Sequence, residues 1–289
     1  MKKLLYIFLI IGLLTLLQNC LLNKYIYTDK ELKEHYKNKS TSPNYKTLSV
    51  FDKEIHYAVV NKNDSLPLLV FIHGAPGAWY GYMNLMDDSV LQTKFKLIAV
   101  DRLGYGKSGY GKAELSTQIQ ALSIKKIIDT ENTSNKKVVL MGRSYGAPIA
   151  AWLAINYPQQ VKELIMISPV IDPEKEKFYW FSNIGKWKAV QLFLPKMLNV
   201  ATNEKFAHQK EMKIMLPKWK KLYVSTTVIT GENDRIADTA NFSFAKKYLI
   251  NCPTNFIKLK NTGHLVTYEQ PDLIKQLLIN SDSKSTVYK

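Results

Sequence analysis

Along this chain, short apolar runs alternate with stretches whose apolar residues recur at helical spacing. Residues 66–72 and 138–141 are almost continuously apolar, and residues 95–100 are similar. That is the pattern of strands buried on both faces. Further strand-like runs lie at 161–168, 223–230 and 254–260, and two shorter ones at 47–51 and 55–60 flank a turn at Asp52-Lys53-Glu54. Helical spacing is seen over 116–130 (Ile119, Leu122, Ile127), from Ala147 to Ala154, over about 240–250 and over 271–279. Strands therefore alternate with helices, and Gly-rich turns stand at strand ends. The expected fold class is α/β, a mostly parallel eight-stranded sheet flanked by helices. Sites in such sheets lie at the carboxyl ends of the strands.

Residues 170–222 break the alternation. They carry Phe178, Tyr179, Trp180, Phe181, Trp187, Phe193 and Trp219. Trp180, Ile184 and Trp187 fall at i, i+4, i+7, and Met212, Met215, Leu216 and Trp219 at i, i+3, i+4, i+7, which predicts amphipathic helices. The segment is too long for one crossover, so the expectation is an inserted helical cap, with an ordinary pair of layer helices as the alternative. The core is then 46–169 with 223–280, and the cap 170–222.

The first 45 residues are different again. Lys2 and Lys3 precede an apolar run at 4–17, broken by Tyr6, Gly12 and Thr15. A spanning helix needs ~20 apolar residues, so this run suits the apolar part of an export signal. Leu17-Gln18-Asn19-Cys20 resembles a bacterial lipobox, in which the cysteine is lipidated; Gln18 and Asn19 depart from the small residues usual there. Residues 1–20 are expected as a signal of lipoprotein type, with an uncleaved anchor to about Leu22 or ordinary secretion as alternatives. All three place the protein at a membrane or outside the cytoplasm. Residues 21–45, polar and Lys-rich, are expected as a tether, helical in part, with His35 an exposed bystander.

Composition changes this picture little. The 289 residues are 46% hydrophobic, enough for a sizeable core. The net charge of +16 invites a nucleic-acid reading. Only Arg102, Arg143 and Arg235 are arginine, however, and the lysines are scattered without a zinc knuckle, an RNP-like aromatic motif or a basic repeat. Nucleic acid is not an expected partner, whereas anionic lipid headgroups remain compatible. The two cysteines, Cys20 and Cys252, have no metal-ligand spacing. No cofactor or metal is expected, and the chain is expected to be a monomer.

The candidate chemistry centres on Gly142-Arg143-Ser144-Tyr145-Gly146. It lies between an apolar strand and a helix, and its glycines permit a sharp turn. Such a turn lifts the serine hydroxyl clear of the sheet at a helix N-terminus, ready for acyl transfer if a base and an acid reach it. Downstream, Asp234 ends one strand and His264 follows the next, so Ser144, His264 and Asp234 can converge on one rim as nucleophile, base and orienting acid. Asp238 is the competing acid.

Five motifs in order, His73-Gly74-Ala75-Pro76-Gly77, Asp101-Arg102-Leu103-Gly104-Tyr105-Gly106, Gly142 to Gly146, Gly231 to Asp234 and Gly263-His264, resemble the α/β-hydrolase fold family over about residues 47–280. The resemblance implies an oxyanion hole made by the backbone N–H groups of Ala75 and Tyr145. It also makes His73 a turn residue, and Asp101 and Arg102 braces for loops. The haloalkane dehalogenase and epoxide hydrolase branches share the His-Gly-x-Pro turn but use aspartate as nucleophile. A serine here implies hydrolysis of a carboxylic ester, a lipid or acyl ester being compatible with the anchor. Proline-iminopeptidase-like amidases are the alternative; they usually carry a second glycine where Ala75 sits and acidic cap residues, whereas this cap is basic (Lys175, Lys177, Lys186, Lys188, Lys196). A non-catalytic, membrane-tethered binding protein is the alternative from another class.

Overall fold

The computed structural model describes Gly12 and residues 26–61, 63–179 and 182–281. The export-type segment, the lipidation expected at Cys20, and Trp180 lie outside the described residues. Eight strands form one sheet: β1 (Asn44–Val50), β2 (Lys53–Val60), β3 (Leu68–Ile72), β4 (Lys96–Val100), β5 (Val138–Arg143), β6 (Val161–Ile167), β7 (Ser225–Gly231) and β8 (Thr254–Leu259). Their spatial order is β1-β2-β4-β3-β5-β6-β7-β8. β1–β2 and β2–β4 pair antiparallel, and all other neighbours pair parallel. The main helices are α1 (Asp29–Tyr36), α2 (Thr117–Glu131), α3 (Gly146–Asn156), α4 (Lys196–Met215), α5 (Ala240–Tyr248) and α6 (Pro271–Asn280).

The continuous apolar runs have a direct cause. Alternate residues of a strand point to opposite faces, and here each face has its own core. Leu68, Val70 and Ile72 of β3 enter one core with Ile124, Ala150, Trp152 and Phe242, from α2, α3 and α5. Leu69 and Phe71 enter the other with Leu32, Tyr82, Ile274 and Leu278.

Three expectations need correction. The β1–β2 turn falls at Phe51-Asp52, a residue earlier than expected, and both residues have positive φ (50° and 59°), as a two-residue hairpin of the I′ type requires. The tether does not stand off the domain, and His35 in it is not an exposed bystander. Residues 29–36 form α1, opened by a capping box in which the Thr28 hydroxyl accepts from the Glu31 N–H and the Glu31 carboxylate accepts from the Thr28 N–H. Leu32 and Tyr36 of α1 are buried in the second core, and His35 pairs with Asp87 at 2.8 Å.

The third correction concerns residues 170–222, which are helical but do not act as one unit. Met212 and Met215 of α4 and Trp219 in the 3₁₀ turn that follows (Leu216–Lys221) are buried in the first core, like an ordinary layer helix. The helix expected through Ile184 and Trp187 is instead a 3₁₀ turn (Ile184–Lys186) and a single α turn (Lys188–Gln191), with Trp187 exposed between them. Among the described residues no helix is long and apolar enough to cross a membrane.

Replacing Leu32 by Ala should lower the unfolding free energy by about 2–3 kcal/mol, the order expected for a buried leucine, measured by urea titration. No change would mean that α1 is a detached tether.

Candidate active site

β5 runs into the elbow at Arg143, and α3 begins at Gly146. Ser144 between them has φ of 52°, the left-handed region that non-glycine residues seldom occupy. Such a residue carries ~1–3 kcal/mol of strain and persists only where its surroundings enforce it. Two close approaches enforce it here. A Cβ on Gly146 would lie 2.2 Å from the Ile72 carbonyl oxygen, and one on Gly142 would lie 2.4 Å from the Gly146 carbonyl oxygen. The helix therefore sits directly on the end of β3, and only glycine fits. The Ser144 N–H donates to the Ile167 carbonyl at 2.9 Å, and the Ser144 carbonyl accepts from the Ala147 N–H at 3.0 Å.

The loops carrying the other two residues meet in the same way. A Cβ on Gly231 would lie 2.2 Å from the Gly263 carbonyl oxygen, so the turns after β7 and β8 are in contact. His264 Nδ1 lies 2.7 Å from Asp234 Oδ2. Asp234 Oδ1 accepts from the N–H groups of Ile236 and Ala237, both at 2.9 Å. Burial would raise the Asp234 carboxyl, but the His264 contact and these two N–H groups outweigh it, so its pKa lies below the ordinary 3.8. Asp234 is thus an ionised acceptor facing His264 Nδ1. Asp238, the competing acid, turns elsewhere: Oδ1 caps the Ala240 N–H at 2.9 Å and Oδ2 lies 4.0 Å from Lys177.

Asp234 and His264 are in contact. The Ser144 hydroxyl makes no hydrogen bond with any described residue, and neither does His264 Nε2. Hydrogen bonds of this kind are often long until substrate is bound. The Gly74 loop reaches the elbow directly, since a Cβ on Gly74 would lie 3.0 Å from Ser144 Cβ. Ala75 follows Gly74 and packs against Tyr105, Met197 and Val200. The N–H groups of Ala75 and Tyr145 donate in no turn, loop or cap hydrogen bond of the described residues.

The remaining histidines and charged residues brace these loops. His73 is fully buried, donates from Nδ1 to the Gly74 carbonyl at 2.6 Å and accepts the Arg102 N–H on Nε2 at 3.0 Å. Both ring nitrogens are used, and burial, reinforced by Arg102, holds its pKa well below the ordinary 6.5. Asp101 accepts from His56 Nδ1 at 2.8 Å and from the N–H groups of Trp79 at 2.9 Å and Lys107 at 3.0 Å. Arg143 is directed neither at bulk solvent nor at a carboxylate. Its Nη1 donates to Thr267 Oγ1 at 3.1 Å, and its guanidinium lies 5.7 Å from the Tyr82 ring and 5.6 Å from the Tyr268 ring. His208 is buried, 3.0 Å from the Val170 carbonyl, with its ring 4.4 Å from that of Tyr145.

Three glutamates that no motif marks complete the frame. Glu204 of α4 accepts a two-pronged ion pair from Arg102, at 2.7 and 3.0 Å, and the Tyr105 hydroxyl at 2.6 Å. Arg102 also donates to the Gly74 carbonyl at 3.1 Å. One buried cation therefore joins the segment above the sheet to the loop beside Ser144. Glu176 accepts the Tyr145 hydroxyl at 2.8 Å and pairs with Lys205. Glu269 accepts the Gly263 N–H at 2.6 Å and the Leu265 N–H at 3.2 Å, gripping the backbone on both sides of His264.

With this geometry in view, comparison with known proteins is informative. The sequence signature of the alpha/beta hydrolase fold matches residues 67–189. Mouse epoxide hydrolase 4 is 30% identical over 147 residues, which are 46% of this chain and 40% of that protein. The proline iminopeptidase of Lactobacillus helveticus is 27% identical over 124 residues, 40% of each chain. The match thus spans about 40% of the length of both curated relatives. Among solved structures, a membrane phospholipase A described as a bacterial virulence factor superposes with a TM-score of 0.64 at 19% identity, covering 99% of this chain and 100% of that one. At that identity the likeness concerns the fold.

Glu204→Gln would leave the Arg102 charge buried without its counter-ion. The expected loss of stability is about 3–5 kcal/mol, read from denaturant unfolding, and Arg102→Met with Glu204→Leu together should recover much of it. A loss below ~1 kcal/mol for Glu204→Gln would show that the pair is solvated, as surface pairs are.

Proposed function

We propose that this chain, whose residues 67–189 match the signature of the alpha/beta hydrolase fold, is a serine hydrolase that cleaves a carboxylic ester through an acyl-enzyme on Ser144. One observation carries the reading: a serine held at φ 52° on the elbow after β5, on the strand-end rim where Asp234 holds His264 at 2.7 Å. In this reading His264 Nε2 takes the Ser144 proton as Oγ attacks the ester carbonyl. The N–H groups of Ala75 and Tyr145 receive the oxyanion, each such donor stabilising the transition state by ~3 kcal/mol. His264 then protonates the departing alkoxide, and water, deprotonated by the same ring, releases the acid. Asp234 keeps the proton on Nδ1 and stabilises the imidazolium.

The relative named as an epoxide hydrolase does not redirect this reading. Opening an epoxide in that branch uses an aspartate nucleophile, and residue 144 is serine. A second reading, hydrolysis of an amide beside a free amine, has two supports: the relative named as a proline iminopeptidase, and Glu176, whose Oε2 is buried without a partner among the described residues. Lys205 already neutralises Glu176, and Arg102 neutralises Glu204, so neither offers an amine a free negative charge. The ester reading is preferred for that reason. The lipobox-like sequence before Cys20 and the apolar residues 4–17 support an exported, membrane-anchored setting.

A fluorophosphonate probe should label the wild-type protein and fail to label Ser144→Ala. Absence of labelling on both would favour a binding protein that keeps the fold without the chemistry. Mass spectrometry of the mature N-terminus tests the anchor: a diacylglyceryl Cys20 is expected, and an intact Met1 or a start beyond residue 20 would refute it.

A further inference from the structure

Between Glu176 and Glu204 the chain contains no acidic residue, and it carries Lys177, Lys186, Lys188 and Lys196. The same stretch exposes large apolar side chains. Trp187 is 64% exposed, Leu192 83% and Phe193 51%, and Leu192 is the most exposed large apolar side chain among the described residues. Phe178 is exposed nearby in sequence. In a soluble protein a cluster of this kind marks a surface that meets something else.

The patch is an ordered piece of structure. The Trp187 N–H donates to the Ile184 carbonyl at 3.0 Å, and the Phe193 N–H to the Val190 carbonyl at 3.0 Å. Gln191 Nε2 donates to the Gly185 carbonyl at 3.1 Å, and the Gln191 carbonyl accepts from Asn199 Nδ2 at 2.7 Å, which fastens the turn to α4. The Lys186 ammonium lies 3.7 Å from the Phe206 ring centroid. None of the residues 184–186 or 188–191 is buried, so the segment contributes little to the interior and presents its side chains outward.

The chemistry of the patch selects its partner. A tryptophan, a leucine and a phenylalanine among lysines, with no carboxylate, match the boundary between lipid headgroups and acyl chains, where aromatic rings sit at headgroup level and lysines meet anionic phosphates. A second copy of this chain is disfavoured by charge, since each carries +16. We propose that the turn spanning residues 184–196 docks onto an anionic lipid bilayer, with Trp187, Leu192 and Phe193 entering the headgroup boundary and Lys186, Lys188 and Lys196 contacting the phosphates. This contact is separate from the N-terminal anchor, and it does not require Ser144 to be catalytic. Where both hold, it brings the segment above the site down to the layer in which lipid esters lie.

The test is amide hydrogen exchange on the full chain reconstituted into vesicles of phosphatidylcholine alone, into vesicles of phosphatidylcholine with phosphatidylglycerol, and into detergent. The N-terminal segment is common to all three, so the comparison isolates residues 184–196. Deuterium uptake there should fall several-fold in the phosphatidylglycerol vesicles alone. Leu192→Ser with Phe193→Ser, and separately Lys186→Glu with Lys188→Glu, should restore the uptake while turnover of a soluble short-chain ester stays at the wild-type level. Equal uptake in all three preparations would overturn the proposal. Protection that persists in detergent and grows with protein concentration would also overturn it, in favour of a contact between copies.

Discussion

Two backbones in contact determine where the chemistry can occur. At position 146 the first turn of α3 lies so close to the end of β3 that a Cβ would come within 2.2 Å of the Ile72 carbonyl oxygen. That approach forces the chain to reverse within three residues, and the reversal forces Ser144 into the left-handed region. The His73-Gly74 turn leaves the same strand end and touches Ser144 from the other side. Nucleophile and candidate oxyanion donors are therefore set by one packing event between β3, β5 and α3. Surface loops do not have to hold this geometry; the sheet does.

A second constraint connects that rigid frame to the segment above it. Arg102 is buried and gives its charge to Glu204 in two hydrogen bonds while also holding the Gly74 carbonyl. In a poorly solvated setting such a pair is favourable only when its geometry is good and its remaining donors are satisfied. Tyr105 adds one more bond to Glu204, and Arg102 Nε alone of the guanidinium nitrogens lacks a partner among the described residues, a cost that the two-pronged pair has to outweigh. The pair thus fixes α4 against the loop that carries Ala75. Among the described residues, the outer turn of the same segment, residues 184–193, is fixed by local bonds and by α4, and it presents its apolar side chains outward.

How much of this could be read from the sequence depends on whether a residue's role is local. The elbow was legible because a serine between two glycines, after an apolar strand and before a helix, is a local pattern, and the strands because burial on two faces leaves a continuous apolar run. His73 was legible as a turn residue only through the family resemblance of its motif. Glu204 was not, because its meaning lies in Arg102, far away in sequence, and a glutamate in a polar helix carries no mark of its partner. The burial of Leu32 and Tyr36 was hidden by the lysines around them, since two apolar residues one helical turn apart are a weak signal in a short segment. The division of residues 170–222 was missed because Met212, Met215 and Trp219 show the same helical spacing whether they face a cap or the main core.

The account rests on a covalent intermediate at Ser144, and that intermediate can be observed. Rapid quenching after mixing with a nitrophenyl ester should show a burst of nitrophenol equal to the enzyme concentration. Peptide mass spectrometry of the quenched sample should place the acyl group on Ser144. An acyl group on a different residue, or turnover that survives unchanged in Ser144→Ala, would contradict a covalent role for Ser144.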